Sequence, residues 1–161
     1  MRGLSFIVGG ELYAVDVTLV QKVARKLAIT PVPSSPYEVV GIANLKGRVV
    51  TVLSLSRILG AEQTYYEDHY INTIVFKSTS GREDQMGLAV EKPGNLIDIE
   101  VTDIKPPPVS AGAEGNFCIS GVTEIDDVFY RIIDIEAILK KFIPGSDTHT
   151  VNTSFGGNEN D

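Results

Sequence analysis

The sequence predicts an all-β protein made of two small barrels packed together. Three observations support this fold class: apolar segments rich in β-branched residues alternate with turn signals, helical patterns are brief, and one strand–turn–strand–helix pattern occurs twice. The 161 residues suffice for one domain or for two small units that share a core. We expect residues 1–143 to form this folded domain. Residues 144–161 should form a flexible polar tail, because they have little apolar surface to bury.

The first 28 residues predict a hairpin followed by a short helix. Gly9-Gly10 separates two apolar strands, residues 4–8 and 12–17, and paired glycines tolerate the positive φ angles of a tight turn. Thr18 and Gln21 then have the spacing of a capping box. The apolar residues that recur at helical spacing, and so predict the helix, are Val20, Val23, Ala24 and Leu27.

A second hairpin is predicted after three prolines within residues 29–37, which exclude a regular helix there. Its strands span residues 39–43 and 48–53, with a turn over residues 44–47. One helical turn follows and ends at Gly60, a residue type typical of helix C-termini.

Further strands and a closing helix are predicted in the second half. The polar segment 61–71 and the proline-rich segment 106–115 predict exposed connections. Asp134 has the position of an N-cap for a helix over residues 135–142. The predicted strands span residues 73–77, 86–91, 96–101, 117–125 and 128–133, the last two forming a hairpin around Asp126-Asp127.

An internal repeat supports the two-barrel prediction. Residues 41–59 align without a gap with residues 121–139, and both segments begin with glycine and predict strand, turn, strand and short helix. Two aliphatic hairpins can resemble each other by composition alone, but the shared register and helix favour duplication. Because a unit this small buries too little by itself, we expect two packed barrels with a cleft or ridge between them for docking. The apolar matches include Ile42/Val122, Leu45/Ile125, Val52/Ile132, Leu53/Ile133 and Leu55/Ile135.

Charge and cysteine content narrow the function classes. A net charge of −7 repels phosphate backbones and anionic membrane surfaces, so we expect no nucleic-acid partner. Cys118 is the only cysteine, which excludes an intrachain disulfide and favours a reducing compartment. No apolar segment reaches spanning length, so we expect a cytoplasmic protein without direct membrane insertion.

The sequence contains few side chains in arrangements that are typical of catalytic sites. His69 and His149 lack a cysteine or carboxylate at ligand spacing, which disfavours a metal site. Cys118 lies in a predicted strand, where cysteine usually acts as a small buried apolar residue. Asp126-Asp127 has the composition of a solvated turn. We therefore expect no enzymatic activity, no metal and no cofactor.

Two segments resemble the CheW-type family of chemotaxis coupling proteins. The first is Tyr13–Val17 followed by Val20–Val23. The second runs from Pro33 to Leu55 and contains Gly-Ile-Ala-Asn-Leu-Lys-Gly at residues 41–47, which is similar to the family's most recognisable motif. The second half continues the resemblance to about Phe142, so it covers nearly the whole chain before the tail.

The resemblance implies two SH3-like five-stranded barrels and a non-catalytic adaptor. CheW-type proteins join the cytoplasmic tip of methyl-accepting chemoreceptors to the homologous regulatory domain of a CheA-type histidine kinase. It therefore implies these two partners, and an association with the membrane only through receptor arrays.

Carried over by position, seven residues form the protein-binding surface. Val20 could accept the side of a receptor helical hairpin, although it could equally be helix core. Lys46 at the turn tip could complement an acidic partner residue, or it could be a solvated turn lysine. Gly41 and Asn44 would support the turn. The full set is Val20, Lys22, Val23, Gly41, Asn44, Lys46 and Gly47.

Three departures from the family pattern bear on the partners. Lys46 replaces an arginine and lacks its planar, bidentate donor geometry. Lys22 stands where the family commonly has an acid, and Ser54 replaces an aspartate that the repeat keeps as Asp134. These changes leave two alternatives open. The first is a free-standing relative that titrates a kinase or receptor in a specialised motility pathway. The second is an enzyme or small-molecule binder that uses the cleft between barrels.

Overall fold

The fold consists of ten strands and two helices within the part of the chain that the structure describes. A computed structural model describes residues 1–61, 70–78, 85–107 and 116–143. The strands are β1 (Arg2–Val8), β2 (Glu11–Asp16), β3 (Val20–Ala28), β4 (Val39–Leu45), β5 (Arg48–Ser54), β6 (Tyr70–Phe76), β7 (Gln85–Ala89), β8 (Lys92–Asp98), β9 (Ile119–Ile125) and β10 (Val128–Ile133), and the helices are α1 (Leu55–Ile58) and α2 (Ile135–Phe142).

The strands form two five-stranded sheets, which confirms the predicted fold class. The first sheet has the order β8-β1-β2-β10-β9 and the second β3-β6-β7-β5-β4. Strands β3 to β7 are consecutive in the chain, so the second sheet is inserted between β2 and β8 of the first. Each sheet contains one parallel pair, β2 with β10 and β5 with β7, and its other neighbours are antiparallel.

Three apolar clusters hold the sheets, and the largest contains residues of both. That cluster, named here the shared core, includes Phe6 of β1, Leu53 of β5 and Ile74 of β6. A smaller cluster belongs to each sheet alone. Alternation along a strand assigns residues to the clusters: Tyr13 and Val15 belong to the shared core, whereas Ala14 between them belongs to the first sheet's own cluster. Both faces of these strands are therefore buried, which explains their nearly continuous apolar sequences.

The two segments of the internal repeat have the same strand pairing. Gly41 pairs with Val52 in the first segment, and Gly121 pairs with Ile132 in the second, 80 residues later in each case. The turns match as well, since Lys46 has a φ of 53° and Asp126 a φ of 52°.

In each segment of the repeat, the residue after the glycine is hydrogen-bonded to another part of the backbone that crosses the strand. This close approach explains why both segments have glycine there. Thr30 exchanges backbone hydrogen bonds of 2.8 and 2.9 Å with Ile42, and Lys105 exchanges two of 2.9 Å with Val122. A Cβ atom on Gly41 would collide with the Thr30 carbonyl oxygen, and one on Gly121 would lie 2.9 Å from the Lys105 carbonyl oxygen. Glycine is thus required for close backbone approach in both copies.

The short helix predicted from Val20 to Leu27 is wrong, because these residues belong to strand β3. Two register shifts against β6 insert extra residues, between Val20 and Lys22 and between Ala24 and Leu27. Such β-bulges shift the strand's alternation, so that its partly buried positions fall at spacings of three and four residues. The helical pattern was therefore a bulged strand.

The capping box predicted for Thr18 and Gln21 is also absent. A 3-10 turn spans Val17–Leu19, and the Asp16 carboxylate accepts hydrogen bonds from the Thr18 backbone N–H at 3.0 Å and the Thr18 hydroxyl at 2.8 Å. Aspartate is a strong N-cap residue, so Asp16 takes the acceptor role that was predicted for Thr18. Thr18 is the hydrogen-bond donor instead.

The strand predicted at residues 96–101 is displaced to Lys92–Asp98. Pro93 pairs with Phe6 of β1 at the sheet edge, where proline is tolerated because one side of the strand needs no ladder donor. The other predicted hairpins and the closing helix are found, the helix with the predicted bounds and with Asp134 accepting from the Ala137 N–H at 3.2 Å. Residues 62–69, 79–84, 108–115 and the predicted tail lie outside the described residues.

Phe6→Ala tests the shared core. Phe6 is fully buried, so we expect its truncation to lower the free energy of unfolding by about 3–5 kcal/mol. Because residues of both sheets contact this core, the protein should still unfold in a single transition, measured by urea denaturation. Phe129→Ala is the matched control: its side chain is 59% exposed, and the change should stay within about 0.5 kcal/mol. Two separate transitions in Phe6→Ala would contradict the shared core.

Candidate protein-binding site

Four of the seven predicted site residues lie in the β4–β5 turn or on the strand that leads into it. It is a two-residue turn in which Lys46 and Gly47 have φ angles of 53° and 82°, the left-handed values that a tight hairpin needs. The Asn44 side-chain oxygen accepts a hydrogen bond from the Gly47 N–H at 3.0 Å. Gly41 lies earlier on β4, beneath Thr30. Asn44 and Gly47 thus fix the turn, which leaves the Lys46 side chain exposed at its tip.

The other three predicted residues lie on β3, an edge strand of the second sheet. Val20 pairs with Phe76 and Val23 with Ile74, and both valines are half-buried against the shared core. Lys22 between them is exposed. A charged substitution at Val20 would therefore disturb the fold together with any docking, so Lys22 is the cleaner probe of binding.

The structure places both groups of residues in one barrel. The bridge between Thr30 and Ile42 joins the segment after β3 to β4, so the end of β3 and the end of β4 lie on the same side of that bridge. In the described residues, no hydrogen bond or ion pair joins Lys22 to the turn. The predicted site is thus a strand edge and a turn tip of the same barrel.

Two further basic residues between these groups were missed by the sequence prediction. Arg25 and Lys26 are exposed on β3, and the Lys26 N–H donates to the Asn72 side-chain oxygen at 3.2 Å in the bulge. Glu38 is the only acid between residues 20 and 48 of a chain whose net charge is −7. That local excess of positive charge was the available signal. We name the exposed set Lys22, Arg25, Lys26, Lys46 and Arg48 the basic face.

Ser54 takes the capping role that the repeat assigns to Asp134. Its hydroxyl oxygen accepts from the Arg57 N–H at 3.3 Å and lies 3.0 Å from the Ser56 hydroxyl. The Arg57 guanidinium stacks 4.9 Å from the Tyr37 ring centroid and donates to the Tyr37 carbonyl oxygen at 2.9 Å. This contact fastens the proline-rich loop to α1, so the serine departure leaves the local structure intact.

Apolar side chains of both sheets pack together in the shared core, and one cavity lies on the first barrel. A cavity of about 380 Å³ opens on the first barrel. Its lining includes Asp103, Lys105, Pro106, Glu124 and Phe129, with exposed charges of both signs. The junction between the barrels thus contains packed apolar contacts, and a docking cleft or ridge along it stays a prediction.

Cys118 and the candidate metal ligands were the side chains with possible chemistry in the sequence. Burial raises the pKa of the Cys118 thiol from 9.0 to about 11, which disfavours the reactive thiolate at neutral pH. Within the described ranges, no three His, Cys, Asp or Glu side chains are grouped so that they could hold a metal ion. His69 and His149 lie outside those ranges. None of the described helices is long and apolar enough to cross a membrane.

Comparison with known proteins identifies the family. The model of the CheW-like domain matches residues 2–142, which include both sheets and both helices. The chain belongs to the CheW-like domain family. The fold is accordingly the pair of SH3-like barrels that the resemblance implied.

Individual relatives agree over most of their length. The chain is 33% identical to the chemotaxis protein CheW of Thermotoga maritima over 86% of this chain and 87% of that protein. It is 29% identical to the chemotaxis protein CheW of Helicobacter pylori, with 88% and 82% covered. The crystal structure of the scaffolding protein TtCheW from Thermoanaerobacter tengcongensis superposes with a TM-score of 0.70 at 26% identity, covering 82% of this chain and 87% of that one. These comparisons support a chemotaxis scaffold of CheW type.

Cys118 predicts a pH dependence of stability. Its folded pKa is about 11 and its ordinary value 9.0, so between these pH values the unfolded chain loses a proton that the native protein keeps. Stability contributed by the buried neutral thiol is complete below pH 9 and declines as the pH rises above it. We expect Cys118→Ala to have a shallower loss of unfolding free energy between pH 8 and 10.5 than wild type in urea titrations. Burial also raises the pKa of Tyr13, so only the difference between the two proteins reports the thiol.

Proposed function

We propose that this CheW-like domain is a non-catalytic cytoplasmic adaptor that couples methyl-accepting chemoreceptors to a CheA-type histidine kinase. The observation that carries the proposal is the family match across both barrels, from residue 2 to residue 142. An adaptor needs two separate surfaces on a stable scaffold, and two barrels locked by one core supply such a scaffold. In this proposal residues 1–143 form the domain and residues 144–161 a flexible tail.

The basic face supports an acidic protein partner for the second barrel. Lys22 and Lys46 are exposed, and neither of them forms an ion pair within the described ranges. Opposite charges accelerate encounter and fix register, while the half-buried Val20 and Val23 add apolar area beside them. The proposed receptor-facing surface is therefore the β3 edge together with the turn over residues 44–47.

The alternative role, titration of the kinase without coupling, is favoured by one observation. Lys22 is an exposed base at a position where the resemblance leads to an acid, so the charge presented there is reversed. A receptor surface that is complementary to an acid would repel Lys22. The chain could then keep only its contact with the kinase. Receptor binding separates the two roles.

A reconstitution experiment tests coupling. The full chain is added to receptor-containing membranes and the CheA-type kinase from the same cells, and autophosphorylation is measured with and without receptor ligand. Coupling predicts that ligand control of the kinase increases with the amount of chain added. A steady fall in kinase activity without ligand control would establish the titrator. Failure of the chain to bind either protein in a pull-down would overturn both roles.

Lys22→Glu tests the β3 edge as the receptor surface. Lys22 is exposed, so its reversal should leave the free energy of unfolding within about 0.5 kcal/mol of wild type. We expect receptor affinity to fall about tenfold at low salt, and less at high salt, because exposed charges are screened. Lys92→Glu on β8 of the other barrel is the matched control and should bind as wild type does. Equal affinities of the two variants would remove Lys22 from the surface.

A further inference from the structure

Each of the two β-bulges of β3 is held by a side-chain amide from another strand of the same sheet. At the first bulge, the Gln85 side chain of β7 donates to the Gln21 side-chain oxygen and, at 3.1 Å, to the Phe76 carbonyl oxygen. At the second bulge, the Asn72 side-chain oxygen of β6 accepts from the Lys26 N–H at 3.2 Å. Side chains outside β3 therefore fix the places where its ladder is interrupted.

The second bulge imposes an uncommon backbone conformation on a lysine. Arg25 and Lys26 of β3 stand opposite the single residue Asn72 of β6. The Asn72 amide group also donates to the Glu91 carbonyl oxygen at 3.1 Å, which ties the bulge to the segment after β7. Lys26 has a φ of 56°, in the left-handed region where glycine is the usual residue of a bulge. Lysine stands here against its backbone preference, and such positions cluster at functional surfaces.

The bulge makes two consecutive basic side chains face solvent. Successive side chains of a regular strand point to opposite faces of the sheet. Arg25 and Lys26 are nevertheless both exposed, whereas Ala24 before them is buried. Neither basic side chain forms an ion pair within the described ranges. An edge strand of a chain with a net charge of −7 thus presents two adjacent positive charges.

We propose that Asn72 is a positioning residue that holds Arg25 and Lys26 outward as a pair of cations for two neighbouring carboxylates of an acidic protein segment. Acidic residues four apart on a helix are neighbours on its surface and would match two adjacent cations. Without the Asn72 oxygen the Lys26 N–H loses its acceptor in the sheet, so the bulge can relax and the two charges no longer point the same way. The inference rests on the proposed adaptor function for the class of partner, and it adds which residues recognise the acid and what aims them.

Binding of an acidic peptide to the purified full chain tests the recognition. The probe is a fluorescent helical peptide with pairs of glutamates four residues apart, and its control has glutamine at those positions. Fluorescence anisotropy at low salt should show binding of the glutamate peptide above that of the glutamine peptide, weakening as salt is added. A single-stranded oligonucleotide of the same net charge should bind more weakly than the glutamate peptide, because the chain as a whole is acidic.

Lys26→Gly removes one charge and keeps the backbone, because glycine accepts the positive φ of the bulge. Its affinity for the glutamate peptide should fall about fivefold, the upper range for an exposed ion pair, while its stability to urea should not fall. Lys92→Gln is the matched control, since it removes an exposed lysine of β8 that lies outside the bulges. It should bind the peptide as wild type does.

Asn72→Ala separates positioning from a general structural role. This change keeps both cations, and it should weaken binding of the glutamate peptide about threefold. In a chain that already carries Lys26→Gly it should have no further effect on affinity, because Asn72 acts through Lys26. The Lys26 amide should also exchange with deuterated solvent faster in Asn72→Ala than in wild type, by more than the change in global stability explains.

The contrary results are equally defined. Equal binding of the two peptides by wild type, tighter binding of the oligonucleotide, wild-type affinity of Lys26→Gly or additive losses in the double variant would each overturn the inference. If Asn72→Ala does not fold, unprotected exchange of the Lys26 amide in wild type would do so as well. The assay contains neither receptor nor kinase, so its failure leaves coupling untouched. A chain that binds the glutamate peptide but no receptor would contradict the proposed function alone.

Discussion

The shared core is the constraint on which the rest of the molecule depends. Each barrel has only a small apolar cluster of its own, whereas the cluster between the sheets contains the largest buried side chains, including Phe6, Leu53, Leu55, Ile74 and Leu88. A barrel with so small an interior would be only marginally stable alone, because the fraction of surface buried on folding rises with the size of the domain. The contact between barrels therefore supplies stability, and it fixes the relative position of every exposed surface.

That constraint limits where partners can dock. Apolar side chains of both sheets pack against one another, so the outer edges and the hairpin tips of the described barrels are surfaces that a partner could reach. The basic face comprises residues of β3, at one edge of the second sheet, and of the β4–β5 hairpin, and its charges contrast with the net negative charge of the chain. Family membership supports a scaffold of CheW type, and Lys22 and Lys46 are exposed basic residues of this chain.

The sequence was most informative where structure is determined locally. The turns at Gly9-Gly10, residues 44–47 and Asp126-Asp127 depend on left-handed backbone angles that few residue types accept, and all three were predicted. Strand β3 was predicted as a helix because its bulges arise from pairing with β6, about 50 residues away in the chain. Arg25 and Lys26 were missed for a different reason, since the local excess of positive charge was visible in the sequence and was not used. The packed contact between the barrels likewise follows from long-range packing that local patterns do not show.

The repeat shows which positions a duplicated barrel must keep and which it can change. Gly41 and Gly121 are both confined by a crossing carbonyl oxygen, and Ser54 and Asp134 both cap a helix, so chemistry at these positions is restricted. Turn position 46/126 demands only a left-handed backbone, which lysine and aspartate both adopt there. Charge could therefore diverge at the tips without cost to the fold, because their side chains are exposed. The opposite charges of the two equivalent tips therefore arise from substitutions at the least constrained positions of the hairpin.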